Sequence, residues 1–149
     1  MLRGHTGALT HINGEQLDLA AATRVDDASD ATLRATFPRP LGSEWPHAHA
    51  IRDHVPLNIA DAQTDPRVPD AGHAEARVRG YRSLVVLPLL RHDAAVGTIS
   101  VTRREPGGFT DDEIALLKIL ADQAVIAIEN VRLFNETKEA LECPDSIWC

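Results

Sequence analysis

The sequence predicts an α+β fold. Two antiparallel hairpin signals, one opening the chain and one between residues 83 and 103, and a long capped helix beginning after Thr110 are the observations that decide it.

The first hairpin joins two short apolar-rich runs, Ala8 to Ile12 and Leu17 to Thr23, across Asn13-Gly14-Glu15, where Asn-Gly supplies the positive φ angles of a tight turn. From Asp27 to Thr36 the pattern becomes weakly helical. It stops at Phe37-Pro38-Arg39-Pro40, because proline removes backbone donors and restricts the residue before it. A loop, Leu41-Gly42-Ser43-Glu44-Trp45-Pro46, follows. Pro46 suits the first turn of a short helix reaching about Asp53, and Val55-Pro56-Leu57-Asn58-Ile59 reads as a short edge strand.

Ala60 to Pro69, with Asp61, Asp65, Pro66 and Pro69, reads as a long surface loop of the kind that carries ligand contacts. A short helical segment over Ala71 to Val78 leads to the strongest strand signal, Ser83-Leu84-Val85-Val86-Leu87-Pro88-Leu89-Leu90. The turn Arg91-His92-Asp93 and the run Ala95 to Arg103 complete the second hairpin. Its last strand alternates: Ala95, Gly97, Ile99 and Val101 share one face, and Thr98, Ser100 and Thr102 the other. The simpler reading sends the hydroxyl face to solvent; the functional one makes it the floor of a ligand cleft.

Thr110-Asp111-Asp112-Glu113 is a capping box, and its extra acids suit the positive end of a helix. Ile114, Leu117, Ala121, Ala124, Ile128 and Val131 then recur at spacings of three and four, beside a second stripe of Leu116, Leu120, Ala127 and Phe134. Two stripes need two partners: one the sheet, the other a second helix, which no earlier segment of comparable length supplies. Asn135-Glu136-Thr137-Lys138-Glu139 is polar, as in a helix leaving its domain.

With 149 residues, 44% hydrophobic and 25% charged, the chain reads as a single domain over residues 1–141. Residues 142–149 read as a disordered or artificially appended tail. Acids outnumber bases 22 to 15, and a net charge of -7 without a basic face argues against nucleic acid. No run approaches the roughly 20 apolar residues of a membrane span, and Met1-Leu2-Arg3-Gly4-His5 lacks a signal-peptide core, so direct membrane insertion is not expected and the expected compartment is the cytoplasm. Both cysteines, Cys143 and Cys149, fall in the tail, so no disulfide framework is expected.

The runs Gly80 to Leu89, Val96 to Val101, Phe109 to Glu113 and Leu120 to Phe134 together resemble the second half of a GAF domain. The helix is similar to those of GAF modules in bacterial sensor histidine kinases. The resemblance covers residues 7 to 141 and implies a PAS-related central antiparallel sheet. The long C-terminal helix would lie on one face, and short helices and loops over a ligand pocket on the other. Such domains also have a helix before the first strand. This chain opens almost on that strand, so the N-terminal helix is expected to be missing, which would expose part of the helix stripe and favour pairing between subunits.

Cyclic-nucleotide-binding members of the family carry an Asn-Lys pair upstream of Phe-x-x-x-Asp-Glu. Here Phe109-Thr110-Asp111-Asp112-Glu113 is one residue short and no Asn-Lys pair occurs. Bilin attachment and sulfoxide reduction need a pocket cysteine, and none precedes Cys143. His47, His49 and His54, with Asp53 and Asp61, raise the question of a metal or haem. On a helix His47 and His49 point about 200° apart, which argues against a shared metal. No Gly-x-Ser-x-Gly elbow, phosphate loop or His-Glu-x-x-His helix occurs, and Asp111 and Asp112 oppose an anion at the loop Pro106-Gly107-Gly108.

The sequence therefore leads to a non-catalytic regulatory domain of a bacterial signal-transduction protein, foremost a two-component sensor histidine kinase. It would bind an unidentified small ligand and act on an output domain outside this chain. The candidate ligand residues are Trp45, His49, Asp61, Tyr81, Ser83 and Ser100. Ile114, Leu117, Ala121, Ala124, Ile128 and Val131 are the candidate signalling and homodimer stripe, with no cofactor identified and no metal expected. The alternatives are a ligand-free dimerisation and relay module, and a GAF-type reductase.

Overall fold

The computed structural model describes residues 5–23, 26–42 and 44–142. In chain order these form β1 (His5–Asn13), β2 (Gln16–Ala22), α1 (Asp27–Ala35), β3 (Arg39–Pro40), α2 (Pro46–Asp53), β4 (Leu57–Ile59), α3 (Asp70–Arg79), β5 (Ser83–Arg91), β6 (Ala94–Arg103) and α4 (Asp111–Glu142). The strands make one antiparallel sheet in the order β3-β2-β1-β6-β5-β4. The two hairpins read from sequence thus sit side by side, joined where β1 pairs with β6.

The first hairpin turn differs from its expected form. Asn13 is the last strand residue, paired with Gln16, and only Gly14 has positive φ, the first position of a two-residue loop. The second hairpin turns on His92 and Asp93, both left-handed. The segment read as a loop around Pro40 instead contributes a two-residue edge strand: Arg39 and Pro40 pair with Leu17 and Gln16. A lone pair of residues carries no periodicity, so the pattern could not reveal it.

Two cores flank the sheet. On one face Val85, Leu87 and Val101 pack with Phe109 and Leu117, and Ile99, Ile114 and Leu120 close around them. On the other, Leu84 and Val86 meet Ala50 of α2, Ala76 of α3, and Ile59, Ala62, Val68 and Tyr81. Because β5 faces an apolar layer on both sides, it is a continuous hydrophobic run rather than an alternating one.

The capping box at the start of α4 is formed as read. Thr110 N–H donates to Glu113 Oε1 at 2.9 Å, and Glu113 N–H donates to Thr110 Oγ1 at 3.2 Å. With 32 residues, α4 extends about 48 Å. Its stripe residues Ile114, Leu117 and Ala121 face the sheet, Ala124 is half-buried, and Val131 is 59% exposed. The Ile128 side chain and the tail from Cys143 to Cys149 lie outside the described residues. The other side of α4 leaves Leu116, Ile119, Ile126, Leu133 and Phe134 exposed. Leu117 and Ala121, buried against the sheet, have no surface left for a partner helix, whereas Val131 and the outer side do. No helix among the described residues is long and apolar enough to cross a membrane.

Gly97 is where β1 and β6 come closest. A Cβ there would lie 2.1 Å from the Thr10 carbonyl oxygen, a backbone atom that cannot move without parting the strands. Gly97→Ala is expected to destabilise the domain by about 2 kcal/mol or more, read as a lowered urea midpoint.

Candidate functional site

The hydroxyl face of β6 is buried: Thr98 is 0%, Ser100 5% and Thr102 5% exposed. That overturns the solvent reading. In the register of the sheet, Thr6, Ala8 and Thr10 of β1 stand opposite Thr102, Ser100 and Thr98, so the hydroxyls of two strands line one face. Buried hydroxyls must find partners. Thr6 bonds Thr102 across the strands, and Thr10 bonds Thr98 at 2.6 Å.

Above this floor lies a small chamber of about 20 Å³, room for a single water. Its walls come from every element on this face. Pro46 starts α2 with the preceding Trp45 as its cap residue, and the Trp45 ring sits 3.3 Å from the Arg39 guanidinium carbon. The indole packs against α3 at Gly72, where a Cβ would stand 3.3 Å from the ring. Arg79 of α3 bridges Glu75 one turn back at 3.3 Å, and both side chains are about nine-tenths buried. Arg79 also lies over the Tyr81 ring, 5.2 Å from its centre. A wider cleft of about 460 Å³ between β2 and α1 is lined by exposed residues such as Ala20, Ala21 and Arg34, and gathers no such set of groups.

Electrostatics in the chamber follow from burial. His47 reaches down from α2 to Thr98 Oγ1 at 2.9 Å from its Nδ1, with Phe37 edge-on to its ring. Part of its surface stays accessible, but enclosure of the ring, with Arg39 and Arg79 nearby, lowers its pKa to about 4. The imidazole is therefore neutral at pH 7. The hydroxyl protons assign its tautomer. Thr98 N–H donates to Thr10 Oγ1, so if Thr10 donates to Thr98 and Thr98 to His47 Nδ1, the hydroxyl protons of both threonines are used. The proton of His47 then sits on Nε2, which has no partner among the described residues. Burial raises the pKa of Glu75 in spite of Arg79 and Arg39. Burial, then the Glu75 charge, pushes the Tyr81 phenol up, so it stays protonated.

Of the six candidate ligand residues, Trp45, Tyr81 and Ser100 converge on this chamber. His49 points away and meets Arg52 on the outer side of α2. Asp61 holds Arg82 at 2.8 Å and the Gln63 backbone at 3.0 Å, shaping its own loop. Ser83 is fully buried but engaged elsewhere: it donates to the Glu105 carbonyl and accepts from Gly108 N–H. Sequence reasoning passed over Arg39, Glu75 and Arg79, and weighed His47 only as a metal or haem ligand. The Glu75-Arg79 spacing of four was a legible pair signal; Arg39 carried none, because it arrives on the unread strand β3.

Ser83 belongs to a second cluster, on the α4 face of the sheet, which fastens the loop before α4 to β4 and β5. Asn58 of β4 donates to the Phe109 carbonyl at 2.8 Å and accepts from Phe109 N–H at 3.0 Å. Gly107 N–H donates to the Ala60 carbonyl at 2.9 Å. Arg103 stacks on Phe109 and reaches Glu113 at 3.2 Å. The α4 N-terminus is thereby bonded to β4 and to the start of the loop that brings Val68 to the chamber wall.

The GAF domain family model matches residues 4–129. This chain belongs to the GAF domain family. Its fold, an antiparallel sheet with helices and a long C-terminal helix, is shared with solved GAF structures. One is the GAF domain of a phosphoenolpyruvate-protein phosphotransferase from Coxiella burnetii, with TM-score 0.73 and 16% identity over 88% of this chain and 75% of that one. Another is the GAF domain of a two-component sensor histidine kinase from Bacillus halodurans, with TM-score 0.68 and 17% identity over 87% and 84%. A type II free methionine-R-sulfoxide reductase from Thermoplasma acidophilum gives 0.66 and 16% over 84% and 78%. No curated protein matches.

Between its unfolded value of 6.5 and about 4, the unfolded chain takes up a proton that native His47 refuses, so stability falls as pH drops through that window. Glu75, shifted upward, acts in the opposite sense above 4.5. It is common to the protein and to His47→Gln, so it cancels in their difference. The stability advantage of the protein over His47→Gln, measured in urea, is expected to shrink from pH 7 to pH 5.

Proposed function

We propose that this GAF domain is the sensory module of a bacterial signal-transduction protein, foremost a two-component sensor histidine kinase. It binds a small ligand in the chamber roofed by α2 and α3, relays its state through α4 and catalyses nothing itself. The observation that carries this is the hydrogen-bonded clamp at Asn58, Ser83, Gly108 and Phe109. Val68 of the chamber wall lies on the loop after β4, and β4 and the start of that loop are the backbone segments bonded to the α4 cap, so a ligand that displaces this wall pulls on α4. The output domain lies outside this chain. Against a reductase stands the chemistry of the chamber, whose lining has no thiol.

A specific feature favours a second reading, in which α4 pairs two copies and no ligand is needed. Ile119, Ile126 and Leu133 are all exposed and spaced by seven, the repeat of a coiled-coil seam. Beside α4, over β1 and β2, run open grooves of about 590 and 900 Å³, lined by Leu9, Ile12, Val96, Leu120 and Ala124 among others.

A ligand panel read by thermal shift and native mass spectrometry separates the two. Sensing predicts a stabilising ligand whose binding slows hydrogen exchange in the first turns of α4. In Asn58→Ala that distant protection is expected to vanish while affinity stays within about twofold, since only the clamp's hydrogen bonds are lost. Protection confined to α2 and α3 in the unaltered protein would overturn the relay. For the α4 pair, Ile126→Glu with Leu133→Glu is expected to convert dimers to monomers by light scattering. A silent panel together with that conversion leaves the ligand-free module standing.

A further inference from the structure

The proposed sensory reading leaves the ligand open, and the chamber's own groups narrow it. Its charged side chains are two guanidiniums, Arg39 and Arg79, against one carboxylate, Glu75. Glu75 and Arg79 already hold each other at 3.3 Å. Arg39 has no hydrogen-bond acceptor and no ion pair among the described residues; its guanidinium is half-buried and only stacks on Trp45. A cation drawn partly out of water with no counter-charge in contact is a standing cost, which an anion would relieve. The Nε2–H of His47 is a second unused donor in the same walls, held in place by the Thr98 and Thr10 hydroxyls. Its neutrality matters here: it offers a hydrogen bond and adds no charge.

We propose that the chamber takes a small monovalent carboxylate, received by the Arg39 fork under the Trp45 ring and by His47 Nε2–H. The inference rests on the sensory reading of the chamber and names its ligand class. One excess positive charge calls for one negative charge, and a planar fork fits a planar two-oxygen anion. A divalent tetrahedral anion would carry surplus charge into a space of about 20 Å³ and face Glu75 as well. Even formate or acetate exceeds that space, so entry displaces Trp45. Its indole is free to yield: it is held by the Arg39 stack and the Gly72 contact, and makes no side-chain hydrogen bond among the described residues.

Displacement makes Trp45 the reporter. The only other tryptophan is Trp148, so the test uses the full chain with Trp148→Phe, titrated with sodium formate and sodium acetate at constant ionic strength. A saturable change in Trp45 emission is expected, with Kd about 1 mM for ligands of three or four heavy atoms. Arg39→Gln is expected to weaken binding at least tenfold. Arg39→Lys, which keeps the charge and loses the fork, should fall between, and it serves if the glutamine variant does not fold. Acetamide, the neutral isostere, and inorganic phosphate are run alongside. Equal responses to acetate and acetamide, binding of phosphate without carboxylate, or carboxylate binding indifferent to Arg39 would each overturn the assignment. If a neutral compound from the panel stabilises the protein while carboxylates do nothing, the carboxylate class falls and sensing stands. If neither carboxylates nor any panel member binds, both fall.

Discussion

Burial of the hydroxyl face of β6 is the constraint on which the rest of this domain depends. Thr98, Ser100 and Thr102 stand where an antiparallel sheet of this size would ordinarily carry apolar side chains or meet water. A hydroxyl hidden from water costs free energy unless it is bonded. For the threonines the sheet meets that requirement across strands, and at its upper end through His47. The same requirement keeps α2 over the floor, fixes which histidine nitrogen carries the proton, and gives the domain a polar interior surface on which charged groups gather.

The two faces of the sheet consequently do different work. Beneath α4 the packing is apolar throughout, Val85, Leu87 and Val101 against Phe109 and Leu117, and has nothing to recognise a ligand with. Beneath α2 and α3 an apolar cluster at β4 and β5 gives way, toward β6 and β1, to hydroxyls, a buried ion pair and a stacked arginine. The clamp from Asn58 to Phe109 ties the edge strand β4 to the start of α4. Arg103, stacked on Phe109 and bonded to Glu113, extends the connection onto the first turn of the helix.

Much of the fold was legible because its elements carry periodic or capping signals of their own. The second hairpin declared itself through an apolar run and a strict alternation, and the α4 start through a four-residue box whose two hydrogen bonds are both made. The turn at Gly14 was placed within a residue. What the pattern could not show was β3, because two residues have no period. Nor could it show which stripe of α4 meets the sheet. Both stripes are apolar, and only packing separates Leu117, which is buried, from Leu116 and Phe134, which are exposed.

The candidate site divided along the same line. Trp45, Tyr81 and Ser100 reach the chamber because each lies where a strand or helix end feeds the roofed face. Ser83 and Asp61 are polar residues of the right kind spent on holding loops. Sequence by itself determined the elements, the capped helix and the two chemically distinct faces of β6, since these follow from local spacing. Tertiary structure alone decided which face is covered, because a strand's period sets what is opposite what but not which side water is excluded from. That choice brings Arg39, His47, Glu75 and Arg79, from three separate elements, into one space that no spacing along the chain records.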